Sequence, residues 1–248
     1  MINYIKAELY RNFNRAYFWV YTGIISALLL TIIIIFNVNH ISSINLSAII
    51  QVSNHMVFIP VFLVAGIIEM VIAEEYKNKT LKNVITFGLP RTKLILSKFI
   101  VTVILSFISA IIMLTVFYGS AAVLLGLGNG FHGIFLDHIT RLAAALPLWI
   151  AAIAVGTFLN VVISNSTICA FVYAGVFLMT SQIVRLLAFL VSDKFKYVYD
   201  HLITIQLSKL GGNIVSKQDF TSAAIIGCIY TIVFLIFSIL YFRKKEVK

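Results

Sequence analysis

The sequence predicts an all-α membrane protein, and three observations support that class. Of its 248 residues, 61% are apolar and only 11% are charged, whereas a soluble domain carries about 25% charged residues. The apolar residues form runs of about 20, the length that an α-helix needs to cross a bilayer. These runs are solid and do not alternate, which argues against a transmembrane β-barrel. We therefore expect a single transmembrane domain over residues 1–248.

Six apolar runs satisfy the length criterion for a membrane span. We predict transmembrane helices at about residues 17–36, 49–73, 99–125, 142–163, 168–191 and 220–242. Pro60 lies inside the second run, where proline frees a backbone carbonyl and kinks the helix. The glycine-rich residues 126–137 are expected to form an outer loop, and residues 164–167 a tight turn.

The basic residues are distributed unevenly between the two sides that these spans define. If the odd-numbered spans run outward, 13 of the 19 Lys and Arg residues fall in inner segments. This asymmetry is the positive-inside rule, and it predicts that both termini are cytoplasmic. Because the formal charge of +10 is then an orientation signal, we expect no nucleic-acid binding.

Two segments outside the spans are expected to be helical. Residues 2–15 carry apolar side chains at helical spacing with Lys6, Arg11 and Arg15 between them. That pattern is typical of a helix in the cytoplasmic membrane interface, in contact with lipid headgroups, although a basic flank that merely anchors the first span is the alternative. Residues 192–219 mix apolar and charged side chains and are interrupted by Gly211-Gly212. We expect two short helices there, packed against the outer mouth.

The one long polar interruption is the segment of residues 74–98, EEYKNKTLKNVITFGLPRTKLILSK. Glu75 and Lys79 form a favourable i, i+4 pair, which extends the second span beyond the membrane. The segment 80–87 has an apolar face, and Gly88 and Pro90 stand where a helix C-cap and its following proline belong. The sequence therefore predicts a short amphipathic helix between spans two and three, with a solvated loop or a helix lying on the lipid as the alternatives.

The same segment resembles the signature of type-2 ABC exporter permeases. The matching residues are Glu74-Glu75, then Thr80-Leu81-Lys82, then Leu89-Pro90-Arg91-Thr92 after six intervening residues, and finally Lys98. The resemblance extends to the six spans, the N-terminal interfacial helix, the cytoplasmic termini and the helical excursion before the last span. It identifies the chain as a member of the ABC-2 type permease family.

The resemblance implies that residues 74–91 contain a coupling helix, which docks into a groove on a separate ATPase subunit. The candidate docking residues that follow from it are Glu74, Glu75, Thr80, Leu81, Lys82, Val84, Ile85, Pro90 and Arg91. Among these, Leu81, Val84 and Ile85 are the candidate apolar anchors. The partners that it implies are two ATPase subunits per complex and a second or related permease copy.

Three ionisable residues within predicted spans are candidates for a translocation path. Glu69 lies near the inner end of span two, Arg185 lies in span five, and His55 lies in the outer half of span two. Ionisable side chains are energetically costly inside the membrane, so their presence there indicates a functional role. The alternatives are snorkelling to the interface for Glu69, headgroup contact for Arg185 and simple packing for His55.

The sequence carries no enzyme motif. It has no G-x4-G-K-[ST] phosphate loop, so ATP and Mg²⁺ are expected to be used by the partner subunit and no cofactor by this chain. There is no H-E-x-x-H motif, and Cys169 and Cys228 lie in apolar runs, where we expect buried thiols.

We therefore predict the permease subunit of an ATP-driven exporter in the plasma membrane of a bacterium. The compact size resembles the branch of the family that exports amphipathic peptides and confers bacteriocin immunity, while lipid-like molecules and drugs remain alternative substrates. A non-transporting membrane anchor or sensor is the main competing hypothesis. An ion-coupled transporter is disfavoured, because broken-helix repeats and mid-membrane carboxylates are missing.

Overall fold

The computed structural model describes residues 1–39, 44–73, 90–163 and 165–245. All regular structure in these ranges is helical, which confirms the predicted all-α class. The elements are α1 (Ile2–Phe13), α2 (Ala16–Val38), α3 (Leu46–His55), α4 (Pro60–Ile68), a π-helical segment (Glu69–Ala73), α5 (Arg91–Leu125), α6 (Phe131–Val162), α7 (Ser166–Leu190), α8 (Lys194–Asp200), α9 (Ile203–Leu210) and α10 (Lys217–Lys244).

Five of these helices are long and apolar enough to cross a membrane, namely α2, α5, α6, α7 and α10. A sixth crossing is formed if α3 and the stretch Pro60–Ile72 are one broken span, since the pair passes the same test and is bent by 73°. The predicted count of six is therefore reached when the bent pair counts as one span.

The break in the second predicted span falls at residues 56–59, directly before Pro60. Proline lacks the amide hydrogen that would continue the helix, so carbonyls near the break need other donors. The indole of Trp149 in α6 donates to the Val57 carbonyl at 3.0 Å. The hydroxyl of Tyr173 in α7 donates to the Val61 carbonyl at 2.8 Å. The sequence predicted the kink, and the structure shows that neighbouring helices stabilise it.

Helix α6 is the central element of the bundle, and its pairing with α10 is the most extensive helix contact. Small residues on α6 are fully buried, among them Ala145, Ala151 and Ala152. At the crossing point, a Cβ on Gly227 of α10 would lie 2.5 Å from the carbonyl carbon of Pro147. The two helices therefore approach more closely than any side chain at position 227 would allow.

The connection between α5 and α6 is shorter than the sequence predicted. Residues 131–137, expected in a glycine-rich loop, form the first two turns of α6, so that part of the loop prediction was wrong. Only residues 126–130 connect the helices, with Gly126, Gly128 and Gly130 at φ values of 77°, 79° and 68°. Three left-handed residues in so short a connection let the chain reverse tightly, and they leave Gly133 free to be helical.

The short helices α8 and α9 stand before the last span, where two short helices were predicted. Helix α9 is anchored by Ile203, Leu207 and Leu210, which are buried in the main core. Helix α8 has no buried residue. At the other end of the chain, α1 packs against α5. Of the two cysteines, Cys169 is buried as expected, whereas Cys228 is exposed, so the expectation for Cys228 was wrong.

Contacts between elements define the two ends of the bundle. We call the end that carries α1, the start of α5 and the end of α10 the terminal face. The opposite end carries the 126–130 connection, the start of α6, and α8 and α9, and we call it the distal face. The amides of Leu46 and Ser47 bond the carbonyls of Gly126 and Leu127 at 3.0 and 3.1 Å, which places the start of α3 on the distal face.

Candidate functional site

Most of the predicted docking residues lie outside the described residues. These are Glu74, Glu75, Thr80, Leu81, Lys82, Val84 and Ile85, all within residues 74–89. The structure does describe the elements that flank this segment, the π-helical segment on one side and the start of α5 on the other. Both flanks carry polar side chains at the terminal face, and these define the candidate site.

The first cluster is centred on Lys98 of α5, which is only 2% exposed. Its Nζ donates to Glu8 Oε2 of α1 at 2.7 Å and to the carbonyl of Val71 at 3.0 Å. Arg11 also donates to Glu8 Oε2, at 2.7 Å. One lysine therefore connects α1, α5 and the π-helical segment, and a buried cation of this kind requires such acceptors.

The second cluster is centred on Arg91, the first residue of α5. Its Nη1 donates to the carbonyls of Phe242, Arg243 and Lys245, at 3.1, 3.1 and 2.6 Å. These carbonyls belong to the last turn of α10 and the residue that follows it, where a helix leaves acceptors unpaired and its dipole attracts a cation. Pro90 occupies the N-cap position of α5. Arg91 thus caps another helix within the same chain.

Together the two clusters fix both flanks of residues 74–89. Val71 lies two residues before the end of the π-helical segment, and Lys98 lies in the second turn of α5. Because Lys98 bonds Val71 directly, the two flanks are tied to each other as well as to α1. The helices that these contacts join directly to the two flanks are α1 and α10.

Glu69, a candidate path residue, opens the π-helical segment and is exposed. Its carboxylate accepts a hydrogen bond from the hydroxyl of Ser166 at the start of α7. Beside it lies a cavity of about 10 Å³, lined in part by Asn160 and Tyr173, which is close to the room that one water needs. Glu69 therefore links the π-helical segment to α7, and this cavity, formed by described residues, is too small for a substrate.

The other two path candidates lie elsewhere. Arg185 is exposed on α7, and His55 is exposed at the end of α3 on the distal face. No hydrogen bond or ion pair joins Glu69, His55 and Arg185 within the described ranges. His55 does border a distal cleft of about 550 Å³ between α3, the start of α6 and the residues after α9.

A chain of hydrogen bonds fixes α3 on the distal face. His138 Nδ1 lies 2.6 Å from Asn54 Oδ1, and His138 Nε2 lies 2.8 Å from the hydroxyl of Tyr118. Since an amide oxygen only accepts, Nδ1 donates to Asn54, and a neutral His138 then accepts from Tyr118 at Nε2. The Tyr118 hydroxyl is also 2.9 Å from Ser53 Oγ. The chain connects α3, α5 and α6.

Arg141 on the distal face resembles Arg91 on the terminal face, because each guanidinium donates to backbone carbonyls at the end of another helix. Its Nη1 donates to the carbonyl of Leu210, the last residue of α9, at 2.9 Å and to that of Gly212, two residues further on, at 2.5 Å. Its Nε donates to Asp137 Oδ2 at 2.7 Å. The guanidinium therefore holds α9 and the chain after it against the start of α6.

Sequence reasoning missed Glu8, Arg141 and His138 as site residues. Asp137 and Arg141 stand at i, i+4, a spacing that indicates a helical ion pair, but position 137 had been placed in a loop. His138 has no local signal, because its partners are distant in the chain. Glu8 stands at i, i+3 from Arg11, but its buried partner Lys98 is 90 residues away. Within the described residues, no three His, Cys, Asp or Glu side chains are grouped as metal ligands.

The fold and the terminal-face clusters define a polytopic helical membrane protein with a bent helix pair at the second predicted span, in which both flanks of residues 74–89 are held by hydrogen bonds. Residues 5–181 match the family described as ABC-2 family transporter protein. Since the match covers more than half of the chain, the protein belongs to this family. A search of curated proteins finds no match.

Family membership gives the chain a role as a membrane permease subunit of an ABC transporter and implies association with an ATPase subunit. The matched residues run from α1 into α7 and so include both flanks of residues 74–89. Helices α8, α9 and α10 follow the matched region. The predicted permease class is therefore confirmed at the level of the family.

Proposed function

We propose that this chain couples ATP hydrolysis by a separate ATPase subunit to the efflux of an amphipathic substrate. In this proposal the segment 74–89 forms a coupling helix whose apolar residues Leu81, Val84 and Ile85 insert into the ATPase. Two ATPase subunits bind the terminal face, and two permease copies, or one copy and a related permease, form the transmembrane pathway.

The observation that carries the proposal is the position of Lys98 between Glu8 and the Val71 carbonyl. A docking segment transmits force only if its flanks are held by the helices that must move. Here the flanks are bonded to each other and to α1, and Arg91 bonds the start of α5 to the end of α10. Movement of the docked ATPase would then shift the equilibrium between two arrangements of the helix bundle.

The charge pattern supports an orientation with the terminal face in the cytoplasm. A single cysteine at position 214, in a background without Cys169 and Cys228, tests this orientation, because Ile214 is 93% exposed on the distal face. A membrane-impermeant maleimide should label this cysteine in intact cells. Labelling only after the cells are opened would place the distal face inside and contradict the orientation.

The coupling proposal is tested with tagged full-length protein purified from its native membranes together with its bound ATPase. We compare Leu81→Asp and Val84→Asp with the matched control Ile214→Asp, which adds the same charge on the distal face. The readouts are Mg·ATP hydrolysis that co-purifies with the chain and the melting temperature of the detergent-solubilised protein. We expect the two loop variants to lose the hydrolysis with an unchanged melting temperature, and the control to retain it.

Two outcomes separate this proposal from its alternative. If Leu81→Asp and Val84→Asp retain the ATPase, the docking residues are misplaced. If the wild-type chain carries an ATPase whose hydrolysis is unaffected by candidate substrates, and if cells lacking the chain tolerate amphipathic peptides and drugs as well as wild-type cells do, the chain is a membrane anchor. Export of peptides, as in the bacteriocin-immunity branch, requires that such cells become more sensitive to the peptide.

A further inference from the structure

The distal cleft has the size and the lining of a binding site for a small polar group. Its volume of about 550 Å³ lies within the range of 300–1,000 Å³ typical of small-molecule pockets. It is lined by Ala48, Gln51, Val52, Asn54, His55, Gly133, Ile134, Asp137, Arg141, Gly212 and Asn213. The residues that line the cleft take no part in the contacts that hold the flanks of residues 74–89. The cleft is therefore separate from the terminal-face site.

Two buried side chains in the lining of this cleft carry N–H groups that bond no acceptor in the described part of the chain. Arg141 is 6% exposed, and its Nε and Nη1 are occupied, while Nη2 has no acceptor in the described part of the chain. Asn54 is also 6% exposed, and its Oδ1 accepts from His138, which leaves Nδ2 without an acceptor in the same ranges. Donors on buried, immobilised side chains favour a ligand with an anionic oxygen.

The opposite charge is supplied by Asp137. Its side chain is 48% exposed, and its Oδ2 is held by Arg141, while no described residue donates to Oδ1. Because Arg141 and Asp137 offset each other, the cleft does not select a simple anion over a neutral molecule. It offers donors at one position and a carboxylate oxygen at another, an arrangement that suits a zwitterion.

Part of the remaining wall is apolar and lies at the end of membrane-crossing helices, while Gln51, His55 and Asn213 add polar groups. Val52 is 55% exposed, and Ala48 and Ile134 border the same cleft. A ligand that joins a charged headgroup to an apolar chain matches both parts of the lining. We propose that the distal cleft binds the zwitterionic headgroup of a phospholipid, with its phosphate at Arg141 Nη2 and Asn54 Nδ2 and its ammonium group at Asp137.

The variant Gly133→Leu is designed to block the cleft while leaving all of its polar residues unchanged. A Cβ at this position meets nothing within 4 Å, so Gly133→Leu would place a side chain in the open space. Gly175 is the matched control, because it also lies inside a helix with nothing within 4 Å of its Cβ but is not part of the cleft lining.

The test is a binding titration of the full chain in detergent micelles. The probes are phosphatidylethanolamine and phosphatidylglycerol, both labelled on the acyl chain, with inorganic phosphate as a soluble competitor. We expect phosphatidylethanolamine to bind about tenfold more tightly to wild type and Gly175→Leu than to Gly133→Leu. Asp137→Asn should reduce the preference for phosphatidylethanolamine over phosphatidylglycerol, because it removes the partner of the ammonium group.

Three outcomes would overturn the proposal. Equal binding by Gly133→Leu and Gly175→Leu would mean that the probe partitions into the micelle without using the cleft. Full competition by inorganic phosphate would identify a free oxyanion site. An undiminished preference for phosphatidylethanolamine in Asp137→Asn would exclude the assigned ammonium contact. The titration involves no nucleotide and no ATPase, so its result is independent of the coupling proposal.

Discussion

Lys98 and Glu8 form a buried ion pair at 2.7 Å, although 90 residues separate them in the chain. Neither residue could be buried alone, because an unpaired charge out of water carries a large desolvation cost. The pair adds a buried polar contact to the apolar packing of α1 against the bundle and makes α1 part of the structural frame that flanks residues 74–89. The N-terminal helix therefore contributes to the terminal-face site itself.

Removal of one partner of this pair should destabilise the protein strongly. We expect Glu8→Gln to cost about 3–5 kcal/mol, because it removes the buried carboxylate charge to which Lys98 Nζ and Arg11 Nη2 both donate. The melting temperature of the solubilised chain measures the loss. Lys6→Met is the matched control, since Lys6 is exposed on the same helix, and it should leave the melting temperature unchanged. A double variant Glu8→Leu/Lys98→Met that is more stable than Glu8→Gln would confirm that the cost arises from the buried Lys98 charge once the Glu8 carboxylate is absent.

The contact between α6 and α10 depends on the absence of a side chain at position 227. A Cβ there would lie 2.5 Å from the carbonyl carbon and 2.7 Å from the carbonyl oxygen of Pro147, and a backbone cannot yield as a flexible side chain can. We expect Gly227→Ala to cost about 1–3 kcal/mol. Gly119→Ala, with nothing within 4 Å of its Cβ, should be neutral or stabilising in the same thermal denaturation.

The break before Pro60 should depend on the indole of Trp149. Trp149→Phe keeps most of the ring volume but removes the donor to Val57, which leaves a carbonyl without its partner at a cost of about 1–3 kcal/mol. Trp19→Phe is the comparison, because its indole also donates to a carbonyl, that of Phe13, but is half exposed. Equal melting temperatures for the two variants would contradict a special role for Trp149 at the break.

The apolar patterning in the sequence was sufficient to predict the helices, because the length and spacing of apolar runs are local properties. Pro60 likewise predicted a kink, since the missing amide is intrinsic to proline. The predicted helix boundaries were less accurate where glycines were taken as loop residues. Gly133 is the example, because a helix that is fixed by tertiary contacts tolerates a glycine.

The candidate site was harder to predict, because its contacts join residues distant in the chain. The resemblance included Lys98 and Arg91 in its signature and made Arg91 a candidate docking residue, which stays a prediction. In the structure Arg91 bonds the end of α10, about 150 residues away, and nothing local to Arg91 or Phe242 signals that contact. Glu8 was missed for the same reason.

The ion pair of Asp193 and Lys196, at 2.6 Å, should contribute nothing measurable to stability. The hydrogen bond and the charge of Lys196 lower the pKa of Asp193 below its ordinary value of 3.8. Any stabilisation is therefore complete above that value and is lost only as the pH falls through the lowered pKa. Both groups are exposed to solvent, which screens them. Lys196→Ala should therefore leave the melting temperature unchanged at neutral pH, and a clear decrease would contradict this.

The variant Arg91→Ala distinguishes two roles for this residue, docking of the ATPase and capping of α10. If it caps α10, Arg91→Ala should cost about 1.5–3 kcal/mol through the lost charge-assisted hydrogen bonds. Hydrogen exchange should then rise at the amides of the last turn of α10. If Arg91 contacts the ATPase instead, the melting temperature and exchange should stay unchanged while the co-purifying ATPase is lost, as expected for Leu81→Asp. Exchange at the end of α10 is the decisive measurement, because a docking residue has no reason to alter it.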